Sequence, residues 1–460
     1  MRRRRTSLAV ALLVAAASRL EAHDHLRAST PREGETVATA PTAIRLRFAS
    51  RVDPTSAHVT LADGAGQAFV LPVAPAHPDT VAVLVATVPA GAAPGAWRVA
   101  WRIAGRDGHP VTGTLRITVR ASAPVDTPRW SARPTPNAAP ADEDASPAFD
   151  AGAPLYVLVR WGSYLALLPL VGAFALLLVV VPRLATDDRE AMATNVARVG
   201  RVAAVALLGV AAARLVAQSV SLHGAAGALD PASIGSVLRY TTWGWAWIGQ
   251  VAAVALALLV LRRRPPTGAV TRVGGIVVAS ALGVASAASG HAVASEAGTA
   301  LLVTADALHT LGAGAWLGAL GVLLVVAVAP ARHDAAGVAA VVRAFAPLAL
   351  GGAAALVVSG GVLAWHHVGS LAALTGSTYG WLLLGKLGVL TGIAALGAIN
   401  WRRLGPALPS APAVRLLRRS VRGELALGAL LLLVTAVLVA TPTPREVSAD
   451  DAAAIGIAPP

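Results

Sequence analysis

From residue 155 to residue 440 the chain consists of long apolar runs separated by short polar stretches: 155–181, 196–220, 243–261, 273–290, 300–329, 344–364, 379–399 and 421–440. Each is near or above the ~20 residues that a helix needs to cross the hydrocarbon layer. None alternates apolar with polar positions, so the runs predict helices, which satisfy their own backbone inside a bilayer. The sequence ahead of them reads differently. Short alternating or β-branched segments, AIRLRFAS, AHVTLAD, TVAVLVATV, AWRVAWRIAG and GTLRITVRA, are punctuated by Gly, Pro and Asp, the pattern of a small all-β sandwich or barrel.

The same pattern sets the boundaries. Residues 1–22 read as a signal peptide, with Arg2 to Arg5 as its positive start, Leu8 to Ala17 as its apolar core and cleavage after Ala22; an uncleaved anchor is the alternative. The β domain occupies 23–122. Residues 123–154, rich in Pro, Ala and Asp, form a linker that cannot bury a core. The helical membrane domain spans 155–442, and 443–460 is a C-terminal tail outside the cytoplasm.

Composition sharpens this into a membrane protein: 55% of residues are hydrophobic and 13% charged. A net charge of +14 is compatible with a nucleic-acid binder, but the arginines lie in short segments between apolar runs and not on one basic face. They report topology, and the partner they imply is the lipid bilayer, with no nucleic acid. With the β domain exported, segments 182–199, 262–272, 330–343 and 400–420 face the cytoplasm and carry most of the arginines, whereas the opposite loops hold Arg239 and little else. The chain is then a multi-pass protein of a bacterial inner membrane. Trp243, Trp245 and Trp247 are expected at the outer interface, where indoles settle. Cysteine is absent, which excludes disulfides and thiolate metal sites, and methionine occurs only at Met1 and Met192.

Candidate chemistry sits in both halves. In GRDGHPVTG, Asp107 and His109 lie two apart, so an extended strand projects a carboxylate and an imidazole to the same side. Asp-Gly is equally a hairpin element, and Pro110 favours a stiff turn. In the membrane half, His223, His291, His309, His366 and His367 all fall at or near the outer ends of helices, and ionisable groups inside a membrane are functional candidates. Asp306 and His309 share one face of the fifth helix at i and i+3. Lys386, the only lysine, lies within the seventh helix and needs a carboxylate or water. Asp306 is its first candidate partner, with Arg214 as a competitor. Such groups read equally as a charge pair that serves packing.

AHDHLRASTPREGETVATAPTAIRLRFASRV and WRVAWRIAGRDGHPVTGTLRITV resemble the CopC family of periplasmic copper-binding proteins. The resemblance implies a cupredoxin-like sandwich holding Cu(II) through His23, Asp107 and His109, with His25 as a possible fourth ligand. A histidine exposed as the N-terminus chelates through its α-amine and Nδ1, and His109 completes an N/O set that suits Cu(II). Lacking a methionine-rich stretch, the domain is expected to bind Cu(II) only, with His58 and His77 as surface residues. SGHA, DALHTLGAGAWLGAL, STYGWLLLGKLGVLTGIAALGAIN and LRRSVRGELALGALLLLVTAVL resemble the CopD family of copper transport and resistance membrane proteins. That resemblance covers 155–442 and carries over onto His291, Asp306, His309, Trp316, Tyr379, Lys386, Asn400 and Glu424. Together the halves look like a CopC–CopD fusion.

The fusion predicts copper capture outside the membrane and copper transport across it, most plainly inward, in copper homeostasis and resistance, and no enzymatic activity. Two other classes stay in view. A haem-binding electron carrier would need transmembrane histidines at two depths, and a copper-dependent oxidative enzyme would need a metal position left open by Asp107.

Overall fold

The computed structural model describes residues 26–48, 52–77, 80–104, 110–120, 152–263, 266, 268–290, 299–328, 335–408, 410–441 and 443–444. Among the described residues, nine strands form a β-sandwich: β1 (Leu26–Thr30), β2 (Thr36–Val37), β3 (Ala43–Phe48), β4 (Asp53–Ala62), β5 (Ala68–Leu71), β6 (Val73–His77), β7 (Thr80–Thr87), β8 (Gly95–Ala104) and β9 (Pro110–Val119). One sheet has the order β1-β3-β7-β6 and the other β2-β9-β8-β4-β5. Period-two alternation decides the core. Ile44, Leu46 and Phe48 of β3 face Trp97, Val99, Trp101 and Ile103 of β8 and Leu115, Ile117 and Val119 of β9. Phe48 meets Trp101 edge-on with ring centroids 5.3 Å apart, a pairing that adds about 1 kcal/mol to its area burial. The buried acid Asp63 belongs to a loop: its two oxygens accept from the backbone N–H of Ala65, Gln67 and Ala93.

Among the described residues, eight helices long and apolar enough to cross a membrane follow: α1 (Pro154–Arg183), α2 (Asp188–Gly227), α3 (Thr242–Leu261), α4 (Ala269–Ala288), α5 (Thr299–Ala327), α6 (Ala335–Val368), α7 (Thr378–Ala407) and α8 (Ala411–Leu438). Several run beyond the apolar stretches. Residues 188–195, 335–343 and 411–420 are helical and not loops, because good helix formers such as Ala, Leu, Glu and Arg continue the hydrogen-bond ladder past the apolar segment. The central pair is α1 and α5, whose most apolar windows are 67% and 61% buried, against 6% for α7. They approach to backbone contact: a Cβ on Gly172 would lie 2.3 Å from Ala319 N, and one on Gly318 2.0 Å from Leu168 O. Only glycine fits there.

The sandwich does not merely trail from its linker. It packs on one end of the bundle, where Ala104 joins Leu222, Val237 and Trp243 in a single apolar cluster. The helix ends on this side include the starts of α1 and α3 and the ends of α2 and α8. Most described arginines between or at the ends of the spanning helices, among them Arg183, Arg262, Arg272, Arg343 and Arg403, occupy the far end, whereas Arg239 lies on the sandwich side.

The tryptophans of α3 depart from the interfacial expectation. Trp245 is 61% exposed, but Trp243 is 2% exposed and Trp247 donates from Nε1 to Ala211 O at 2.8 Å. Trp243 turns inward because its ring covers the Arg214 guanidinium, 5.4 Å from the ring centroid, and cation–π attraction in a desolvated site outweighs the interface.

Candidate metal-handling site

His23, His25, Asp107, His109 and His291 lie outside the described residues, as does the side chain of His77. The strands that border the first four in sequence are described, and they converge. Leu26 opens β1 opposite Phe48; Phe48 packs on Trp101; and β8 ends three residues later at Ala104, which pairs with Pro110 across the 105–109 connection. The segment before β1 and the connection between β8 and β9 therefore leave the sandwich at the same end. Gly113 is required in this corner, because a Cβ there would stand 2.4 Å from the Trp101 ring.

That end is the docked one. Arg102 Nη2 donates to Ser221 O at 3.1 Å, and Thr55 Oγ1 lies 3.4 Å from His223 Nε2. His58, expected as a plain surface residue, keeps solvent contact but belongs to this seam: burial, then the Arg102 guanidinium, then the His223 imidazole hold its pKa below the ordinary 6.5. The docked seam therefore favours the neutral ring, so protonation opposes docking below pH 6.5 and has no effect well above it. Thr55→Cys with His223→Cys would introduce the only thiols of the chain. A short thiol-reactive cross-linker is expected to join them efficiently at pH 8, less so at pH 5.5, and several-fold less when Arg102→Glu is added; a yield indifferent to both changes would contradict the seam.

In the bundle, Asp306 and His309 of α5 and Lys386 of α7 come to one level, about 10–15 Å along their helices from the sandwich end. Asp306 is the charged neighbour that acts on Lys386, and Lys386 the one that acts on His309. His309 Nδ1 lies 3.1 Å from Ser359 Oγ, whose hydroxyl donates to Ala355 O at 2.6 Å. A hydroxyl committed as donor accepts from Nδ1–H, which leaves the Nε2 lone pair for a cation. Gly360 makes room for this ring, 3.2 Å from where a Cβ would sit.

The remaining candidates are distributed elsewhere. Arg214 does not take the carboxylate: its Nη2 donates to Ser289 Oγ at 3.2 Å, and it shares the Tyr156 phenol with Arg160. Tyr156 also donates to Gln218. His366 and His367 meet edge-on at 5.6 Å beside Tyr379, at the junction of α6 and α7, and His223 stays at the seam. The histidines share a level without sharing a site, and no group of three or more His, Cys, Asp or Glu gathers among the described residues. Helix azimuth separates them, which depth alone does not reveal. Trp316 packs between the core clusters, and Asn400 donates to Glu424 near the far end.

Sequence reasoning passed over Arg160. It is 4% exposed, donates from Nη1 to Ala436 O at 2.9 Å and stacks 4.9 Å from the Tyr156 centroid. An arginine inside an apolar run was the available signal.

Comparison with known proteins matches a CopC domain at residues 26–120, a copper resistance protein D-like N-terminal domain at 149–301 and copper resistance protein D at 339–438. The copper transport protein CutJ of Bacillus subtilis (strain 168) is 29% identical over 230 residues, 48% of this chain and 40% of that one. The chain thus matches less than half the length of that relative. Among solved structures, CopC from Methylosinus trichosporium OB3b is 27% identical, with 21% of this chain and 93% of that chain covered and a TM-score of 0.19. PcoC, a methionine-rich copper resistance protein from Escherichia coli, is 26% identical, with 22% and 100% covered and a TM-score of 0.19.

Proposed function

Because this chain joins a CopC domain to membrane segments of copper resistance protein D, we propose that it captures copper outside the cytoplasmic membrane and moves it inward across the bilayer. Signal-peptide cleavage would leave His23 as the N-terminus. His23, Asp107 and His109, with His25 within reach, hold Cu(II) as cargo. The observation that carries this reading is the docking. The end of the sandwich from which both ligand-bearing segments leave is the end seated on the bundle, through Ala104, Arg102 and Thr55. Capture and membrane entry are then neighbours, and a captured ion is presented to the bundle at a high effective concentration.

The far-end arginines support the orientation, since basic residues are retained in the cytoplasm. Within the bundle, His309 Nε2 and the Asp306 carboxylate, one turn apart on α5, would supply an N/O set of the kind borderline cations accept, with Lys386 as the cation that an arriving ion displaces.

Copper accumulation in cells carrying wild type, His109→Ala or His309→Ala, measured against a deletion strain, tests the reading. Both variants should fall toward the deletion level. High external copper should rescue His109→Ala, whose defect is capture, and fail to rescue His309→Ala, whose defect is passage. Equal accumulation in all strains would overturn it.

A further inference from the structure

The far ends of α7 and α8 hold a second polar pair. Glu424 of α8 is 3% exposed, and its one hydrogen bond among the described residues comes from Asn400 Nδ2 of α7. Asn400 Oδ1 is itself buried without a hydrogen-bond partner. Gly397, one turn earlier, puts no side chain over the carboxylate: a Cβ there would stand 3.9 Å from Glu424 Oε2. Two buried oxygen acceptors with a single donor between them, and no paired cation among the described residues, are the electrostatic complement of a cation.

The pair lies on a continuous line with the site near the sandwich. Lys386, Ile393 and Asn400 recur every seven residues and share one face of α7, about 10 Å apart from each to the next. Between the two polar levels, Leu317 of α5, Ile393 of α7 and Leu431 of α8 close into one apolar cluster, with Ile393 0% exposed. The helical ladder loosens to i→i+5 turns at Gly314–Gly318, which carries Leu317, and at Asn400–Leu404, which begins with the ligand-bearing amide. Such turns are frequent at functional sites. Along the α5–α7–α8 seam the order is therefore polar, apolar, polar.

We infer that Glu424 and Asn400 form a second cation station at the cytoplasmic end, and that the Leu317–Ile393–Leu431 layer is an apolar gate separating it from the Asp306–His309 level. This deepens the transport reading and rests on it: the ion passes along the α5–α7–α8 seam, pausing at a carboxylate on either side of a dry constriction.

The test uses the full chain in proteoliposomes, with copper added outside and a membrane-impermeant copper-sensitive dye trapped inside, run with cupric ion and, under ascorbate, cuprous ion. Glu424→Gln preserves shape and should lower the initial rate at least tenfold. Ile393→Ala should raise it several-fold, and Leu387→Ala, on the exposed face of α7, should leave it unchanged. Elution profile and copper bound per chain verify folding of each variant. A wild type that moves neither ion overturns the transport reading and the route with it. A wild type that moves copper, with Glu424→Gln and Ile393→Ala at its rate, overturns the route alone.

Discussion

If the N-terminal chelate proposed above holds the ion, a single alanine inserted between the signal peptide and His23 is expected to reduce the cupric affinity of the mature protein by at least about 100-fold, because it separates the α-amine from the imidazole of that proposed chelate. Loss of an outer partner of a metal ligand already costs 10–100-fold, and here a primary nitrogen donor is removed. His109→Ala should lose as much and Asp107→Asn less, since an amide oxygen still reaches the ion without its charge. Affinity should also fall on acidification, because an amine of ordinary pKa near ~8 and the imidazoles must shed protons to bind. Competition titration against a chelator of known strength reads all of these. Full affinity in the extended protein would remove the N-terminal chelate from the account.

In the membrane half the largest effect is expected from Asp306→Asn. The substitution leaves the Lys386 ammonium without its neighbouring carboxylate, and breaking a buried pair in this way costs on the order of 3–5 kcal/mol. Thermal unfolding in detergent should shift down accordingly, and copper flux should end. Adding Lys386→Met removes the stranded charge. The double variant is expected to regain most of the stability and none of the flux, because the carboxylate proposed to receive the ion is still absent. Recovery of flux in the double variant would show that Asp306 serves Lys386 only, and an unchanged melting profile in the single variant would show that the two do not interact.

The sequence made the architecture legible. Apolar runs of about twenty residues specify spanning helices because the bilayer penalises every unsatisfied backbone group, a local constraint written into each segment. Strand alternation from Ala43 to Phe48 and from Gly95 to Ala104 placed the inward faces of the sandwich in the same local way. Depth was legible too, since a fixed rise per residue puts Asp306 and Lys386 at one level without any knowledge of packing. The described histidines His223, His309, His366 and His367 lie toward the sandwich end of their helices without gathering into one site, because depth says nothing of which way a helix is turned.

What the sequence alone determined is therefore the two-part architecture, the apolar centre of each spanning helix, the order of these helices and the residue types available for chemistry. Which of those residues meet was decided only in three dimensions. Arg102 finds Ser221 across 119 residues, and Arg160 finds Ala436 across 276. Arg214 turns to Trp243 and Tyr156 and away from the carboxylate. The seating of the sandwich on the bundle likewise rests on Ala104 meeting Leu222, Val237 and Trp243. Periodicity and propensity are properties of neighbouring residues, whereas side-chain partnership depends on helix rotation and crossing, which close packing of the whole fold sets at once.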